Sequence, residues 1–387
     1  MTSGARPRIL VLSRDQGSVQ TTLPVVRTLA AGGDIDLDVV SLAVSRGLLE
    51  HQGIASRALD EDAFMHNPPG CMEDLLRSVR PDLVLSGSSP AKGEAPETPE
   101  QYLTMAARAA GVPTVAILDY WGMYRERFVS ATSAPALDQA LIPDRLCVLD
   151  TLSRDDLLSL GVPTEHMAVT HNPWMDAVVA EAACPPPPAE EVRSDGPVLL
   201  FASQPLAENA ALRGWTYSQD TILQAVLNGL PPTAGWRVVI WPHPAEDKAR
   251  WDRDRLPQPK GVEVVVGRER GAAVLAHVDL LVTSHSTIAY EAAYYSVPCA
   301  SVRIGGPRLE DHVVDRVGLS RLFMDGDELH RYLAAFDPRR EREYMGDCQR
   351  ALRARGIFFS DGLATQRIVA LLHDMVASAG RVSRTAR

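Results

Sequence analysis

Short apolar runs recur along the chain, each closed by a polar turn and followed by apolar positions spaced three and four apart. "RILVLS" (8–13) leads into the polar loop "SRDQGSVQ", and the helical pattern "TTLPVVRTLAAGG" stops at Gly32 and Gly33. "DLDVVSLAV" reads as the next strand, and "CMEDLLRSVRPDLVLSGSSP" as helix, strand and Ser/Gly loop. "PEQYLTMAARAAGVPTVAILDYWG" and "LIPDRLCVLDTLSRDDLLSLGVP" continue the alternation. Strands that are apolar on both faces and separated by helices predict a parallel sheet covered on both sides.

The rhythm breaks at "ACPPPPAEEVRSDG" (183–196), where consecutive prolines can join neither a helix nor a central strand. It resumes with "PVLLFASQP", "TYSQDTILQAVLNGL", "WRVVIWPHP", "GVEVVVGRE", "GAAVLAHVDLLVTSHST" and "IAYEAAYYSVPCASV". The pattern therefore predicts two α/β, Rossmann-like doubly wound domains with a cleft between them. The expected boundaries are residues 1–182 and 197–360, with 183–196 as linker. An amphipathic C-terminal helix (361–378) would cross back toward the first domain, and a disordered tail (379–387) would end the chain. "RPDLVLSGSSP" and "HVDLLVTSHST" echo one another: each has Asp, an apolar strand, then small hydroxyl residues.

Composition narrows the partners. At 387 residues the chain can bury two cores, and its net charge of -10 argues against nucleic acid, which selects basic surfaces. No segment has the apolar length of a membrane span, and the polar start running directly into a strand reads as a cytoplasmic protein. Five scattered cysteines without C-x-x-C spacing imply neither a disulfide framework nor a zinc site. The Asp-x-Asp pairs at Asp34/Asp36/Asp38, Asp60/Asp62, Asp252/Asp254 and Asp325/Asp327 flank loops, and no metal site is expected from them. The oligomeric state is left open, a homodimer included.

Several segments carry a resemblance. "SRDQGSVQTTLPVVRTLA", "LGVPTEHMAVTHNPWMDAV", "EAAYYSVPCASVR" and "DGLATQRIVALL" occur in the order seen in GT-B nucleotide-sugar enzymes, and the whole chain resembles that superfamily. The second of these is similar to the "V-T-G-N-x-x-x-D" segment of hydrolysing UDP-GlcNAc 2-epimerases. Two of those epimerases' acid/base segments are replaced, by "AILDYWGMYRERF" and "FASQPLAEN", which argues against a straightforward epimerase. "WPHP" (His243-Pro244) and "SHST" (Ser284–Thr287) resemble paired motifs of bacterial polysialyltransferases and CDP-glycerol-type transferases. In those families the motifs hold the nucleotide of a CMP- or CDP-linked donor.

Ligands of open α/β sheets bind beyond the carboxyl ends of the strands. Nucleotide and phosphate candidates at such ends are Gln204, His243, Arg268, Ser284, His285, Ser286, Thr287 and Glu291. With a helix beginning near Ser286, Ser284, Thr287 and Glu291 would share one face, and the hydroxyls would meet a phosphate. The same hydroxyls equally suit a helix N-cap with Glu291 in solvent. His243 either donates to a diphosphate or is a loop histidine before a strand-ending proline, and Arg268 either assists it or is solvated.

Asp15 is the leading general base and Asp119 the second, His243 completing the catalytic set. Arg14 beside Asp15 leaves open a plain surface ion pair. Arg14, Gln16, Tyr120, Trp121 and Arg125 are acceptor-side candidates, the aromatics (with Tyr124) as a stacking wall and Arg125 with Arg127 for an acidic group. A hydrophobic anchor at a strand end is the competing reading.

These features point to transfer of a sugar or polyol phosphate from a nucleotide-activated donor to a small-molecule or glycan acceptor hydroxyl. No cofactor is implied beyond the donor as substrate. The alternatives are a divergent nucleotide-sugar 2-epimerase or hydrolase, and a non-catalytic nucleotide-sugar-binding or partner-binding protein.

Overall fold

The structure, a computed structural model, describes residues 6–90, 97–130, 133–134, 136–207, 216–309 and 312–385. The chain forms two compact units, residues 1–177 with 356–387, and residues 178–355.

In the first unit a parallel sheet of seven strands has the order β3-β2-β1-β4-β5-β6-β7. The strands are β1 (Arg8–Ser13), β2 (Asp36–Ser41), β3 (Arg57–Ala58), β4 (Leu83–Gly87), β5 (Thr114–Ile117), β6 (Arg145–Val148) and β7 (Met167–Val169). Successive residues of a strand point to opposite faces, so β1 feeds two cores. Ile9 and Val11 pack with Val19, Val26 and Leu29 of helix Gln16–Gly32 and with Ile368 and Leu372 of helix Ala364–Thr385. Leu10 and Leu12 pack on the other face with Met72, Leu76, Leu103 and Ala107, from helices Pro68–Val79 and Pro99–Ala109. Burial on both faces explains why these strands read as unbroken apolar runs.

The second unit has a parallel sheet of order β10-β9-β8-β11-β12-β13. Its strands are β8 (Val198–Ala202), β9 (Trp236–Trp241), β10 (Val262–Val266), β11 (Leu280–Thr283), β12 (Cys299–Val302) and β13 (Ser320–Phe323). Leu199, Phe201, Val238, Ile240, Leu280 and Val282 share a core with Val226 and Leu227 of helix Gln219–Gly229 and with Leu329 and Leu333 of helix Gly326–Ala334.

The strand order reverses between β1 and β4 in the first sheet and between β8 and β11 in the second. The sequence echo falls on these reversals. Asp82, before β4, accepts the Arg8 N–H at 2.7 Å, and Asp279, before β11, accepts the Val198 N–H at 2.9 Å. Each aspartate satisfies the first backbone donor of the neighbouring central strand, so the repeated Asp has a physical cause in both units.

Several expectations are corrected. The helix after β1 begins at Gln16, because Asp15 caps it: its carboxylate accepts the Ser18 N–H while Ser18 Oγ accepts the Asp15 N–H. The segment "LAV" is not strand, since helix Ala43–His51 starts there. The chain passes between units at 177–178 and 355–356, and the proline-rich 183–196 segment belongs to the second unit. There Ala189 N–H donates to Ala273 O and His277 Nε2 to Pro186 O. The final helix starts at Ala364 and runs to Thr385, so most of 379–387 is helical where a disordered tail was expected; 386–387 lie outside the described residues. Among the described residues no helix is long and apolar enough to cross a membrane.

Candidate functional site

In the first unit the carboxyl ends of β1, β4 and β5 bring together groups far apart in sequence. Asp15 Oδ1 accepts from Ser18 N–H at 3.1 Å and from Ser89 Oγ, beyond β4, at 2.9 Å. Asp119, beyond β5, lies against the same helix start. A Cβ on Gly17 would stand 2.7 Å from Asp119 Oδ2 and 3.7 Å from Asp15 Oδ1, so both carboxylates converge on this glycine. Gly87 serves the same closeness, since a Cβ there would lie 2.2 Å from Ser18 Cβ. The positive end of a 17-residue helix sits between the two acids and offsets part of their repulsion.

Their environments differ. Asp119 Oδ1 receives Arg127 Nη1 at 2.7 Å, and Arg127 also donates to the Ser88 carbonyl. Asp15 is more open, its side chain 27% exposed, with Arg14 Nη2 at 3.7 Å from Oδ2. Asp15 is thus the carboxylate with solvent access, and Asp119 the one locked in a buried ion pair.

Behind Asp15 lies Glu100, which the sequence reading missed. Its Oε1 accepts the Arg14 N–H at 3.0 Å, and burial pushes its carboxyl up to about 7 against the opposing charge of Arg14. Glu100, Ser88, Ser89 and Arg127 line a cavity of about 20 Å³, room for a single water.

The acceptor-side candidates divide. Tyr120 stays near both aspartates with Arg127 4.7 Å above its ring; burial raises its hydroxyl pKa, the Arg127 charge pulling the other way. Gln16 and Arg125 are exposed. Trp121 is 3% exposed and stacked on Phe358 at 5.0 Å, with Nε1 donating to Asp150 Oδ2. Tyr124 is likewise buried. These two anchor the strand end by packing, which corrects the expected aromatic wall. Arg127, expected to meet an acidic ligand, is spent on Asp119.

In the second unit the ends of β8, β9, β11 and β12 converge. Gln204 Oε1 accepts the His285 N–H at 2.8 Å, tying the end of β8 to the loop after β11. Beyond β9, Glu246 accepts the His243 N–H at 2.5 Å and Ser203 Oγ at 2.7 Å, which ties the His-Pro turn to β8. His243 itself is exposed, and its Nδ1 accepts the Ala245 N–H at 3.1 Å. That bond leaves Nε2 as the ring nitrogen that donates outward.

Arg268 is exposed, with its backbone N–H on Glu191. The arginine at the His-Pro turn is instead Arg270, over the Trp241 ring at 4.6 Å and donating to Pro242 O at 3.1 Å. Burial lowers its pKa, Glu191 opposing.

The Ser284–Thr287 segment departs from the shared-face reading and keeps part of the cap reading. The helix runs Ile288–Tyr294 with Thr287 as N-cap residue, and Thr287 makes no side-chain cap bond. The first-turn hydroxyl bond comes from Ser286, whose Oγ accepts the Ile288 N–H at 3.4 Å, whereas Ser284 precedes the helix and shares no helical face with Thr287 and Glu291. Ser284 is 3% exposed, its Oγ 3.2 Å from Tyr217 Oη and 3.0 Å from His285 Nδ1. His285, Ser286 and Glu291 are half-buried and Thr287 is exposed, so these are the residues of the cluster open to a ligand.

Tyr217, Glu246 and Arg270 carried no signal in the sequence beyond the H-x-x-E spacing of His243 and Glu246. Asp60 and Asp325, from the Asp-x-Asp pairs, are helix caps. Among the described residues no group of His, Cys, Asp or Glu is arranged to hold a metal ion.

Two parallel-sheet α/β units, each with polar groups gathered at its strand-order reversal, define a GT-B-type fold. Solved structures share it over nearly the whole chain. UDP-GlcNAc 2-epimerase from Neisseria meningitidis bound to UDP-GlcNAc has a TM-score of 0.63 at 17% identity, covering 95% of this chain and 100% of that one. The UDP-GlcNAc 2-epimerase from Methanocaldococcus jannaschii has a TM-score of 0.61 at 15% identity, covering 95% and 99%. A glycotransferase of kitacinnamycin has a TM-score of 0.61 at 18% identity, covering 96% and 100%. No protein-family model and no curated protein sequence matches the chain.

Proposed function

We infer that the protein is a GT-B-type glycosyltransferase acting on a nucleotide-activated sugar. The observation that carries this reading is a division of chemistry between equivalent strand ends. The reversal point of the first unit gathers the carboxylates Asp15 and Asp119, whereas the strand ends of the second unit present the donors His243, His285, Ser286 and Arg270, with the buried carboxylate there, Glu246, engaged by the His243 N–H and Ser203 Oγ. Donors suit the phosphates of a nucleotide, and an exposed carboxylate suits an acceptor hydroxyl.

In the proposed reaction the acceptor O–H proton passes to Asp15 as the acceptor oxygen bonds to the sugar carbon. The bond from that carbon to the donor phosphate breaks, and the nucleotide leaves with the electron pair. His243 Nε2 and the Ser286–Thr287 hydroxyls stabilise the departing phosphate charge. Asp119, engaged by Arg127, holds Tyr120 and the helix start beside Asp15 and is not itself the base.

The His-Pro and Ser/Thr motifs support a CMP- or CDP-linked donor, while solved relatives of the fold bind UDP-GlcNAc. A thermal-shift screen of CMP, CDP, UDP, GDP and TDP tests the binding half of the proposal, because a ligand of the native state raises its apparent stability. No shift with any of them removes it. The fold shared with 2-epimerases favours a second reading, an epimerase or hydrolase. Release of free sugar or a 2-epimer from the donor without acceptor would establish that reading instead.

A further inference from the structure

We propose that Arg303, held by Asp315 and His312, is the positioning residue that sets the Ser284–Thr287 loop for binding the anionic part of the ligand. The proposal rests on the functional reading above and deepens it.

Arg303 follows β12 and is 0% exposed. Its Nε donates to the Ser284 carbonyl at 3.0 Å, and its Nη2 lies 2.6 Å from Asp315 Oδ2 and 3.0 Å from His312 Nδ1. Asp315 Oδ1 also accepts from Ser301 Oγ at 2.6 Å. The His312 Nδ1 proton is directed to Asp315 Oδ2 at 2.9 Å, so His312 supports Arg303 through their shared carboxylate and not by a hydrogen bond to the guanidinium, which can only donate. Burial alone would raise the Asp315 carboxyl; the bonds from His312 and Ser301 and the Arg303 charge outweigh it and hold the group below its ordinary value.

A buried guanidinium is expensive, and an apolar side chain of similar volume would fill the space at lower cost. What an apolar side chain cannot do is hold the Ser284 carbonyl. With the Tyr217 hydroxyl at Ser284 Oγ and Gln204 on the His285 N–H, the loop is held at its carbonyl, its hydroxyl and its amide. The side chains left on the accessible side are His285, Ser286 and Thr287. The loop is thus preorganised before any ligand arrives.

The test uses full-length Arg303→Lys and Arg303→Gln, with folding checked by circular dichroism. Amide hydrogen exchange is expected to rise at least tenfold over residues 284–288 and to stay unchanged in β9 and β10; unchanged exchange at 284–288 overturns the proposal. Calorimetry with UDP, CDP, their nucleosides and inorganic pyrophosphate gives the second readout. The diphosphate-to-nucleoside affinity ratio is expected to fall at least tenfold, whereas equal loss for both ligands marks a merely structural residue and overturns the proposal. A wild-type protein that binds neither nucleotide sinks the functional reading, and with it the ligand role proposed for Arg303, while exchange still decides whether Arg303 holds the loop. If Arg303→Gln does not fold, Ser301→Ala, which removes one partner of Asp315, is expected to give the same two changes at smaller size, and the absence of both changes overturns the proposal.

Discussion

Arg127 donates to Asp119 Oδ1 at 2.7 Å, and their side chains are 1% and 7% exposed, so the ion pair is withdrawn from water. Removing one partner of such a pair leaves the other charge buried and alone, typically at about 3–5 kcal/mol. Asp119→Asn is expected to lose stability of that order, measured by denaturant unfolding, and any fall in its activity is inseparable from that loss.

Asp15→Asn separates the two effects. Asparagine caps a helix about as well as aspartate, so stability should change by less than about 0.5 kcal/mol. Loss of the proton acceptor should lower turnover roughly 10²–10⁴-fold. Full turnover of Asp15→Asn with a confirmed donor and acceptor excludes Asp15 as the base.

Glu100 gives a pH signature. Its carboxyl titrates near 7 in the folded protein and at 4.5 when unperturbed, so the folded state holds the proton more tightly. The stabilising contribution is complete below pH 4.5 and lost as pH rises through about 7, a change of at most about 3 kcal/mol. Glu100→Gln should flatten this part of the stability profile between pH 4.5 and 8. A profile identical to wild type would show that Glu100 titrates normally.

His243→Ala tests the second unit. The side chain is exposed and its ring accepts one backbone bond, so the melting temperature should move little. Affinity for the nucleotide diphosphate found by screening should fall about tenfold, worth about 1.4 kcal/mol for one charge-assisted hydrogen bond. Unchanged affinity by calorimetry would remove His243 from the site.

Gly87→Ala tests the close packing that brings the acids together. The added carbon would stand 2.2 Å from Ser18 Cβ at the start of helix Gln16–Gly32, so strand or helix must shift. Overpacking of this kind typically costs about 1–3 kcal/mol, and turnover should fall as well because Asp15 moves with the helix.

The sequence by itself determined the alternation of strands and helices, the two parallel sheets, and the polar turns at the strand ends. These are legible because side-chain periodicity and backbone sterics act over a few residues. It also exposed the Asp82 and Asp279 echo, though not its cause. Only the tertiary structure decided which polar groups meet. Asp15 and Ser89 are 74 residues apart, and nothing local links Gly17 to Asp119. Ser284 reads as a cap or a phosphate ligand from its neighbours alone, and becomes a buried hub because Tyr217, before helix Gln219–Gly229, and Arg303, after β12, arrive from other segments. Trp121 reads as a ring for a ligand and is covered by Phe358, more than two hundred residues away in the chain. Burial and hydrogen-bond partnership are properties of packed neighbours, and for this site those neighbours come from distant segments.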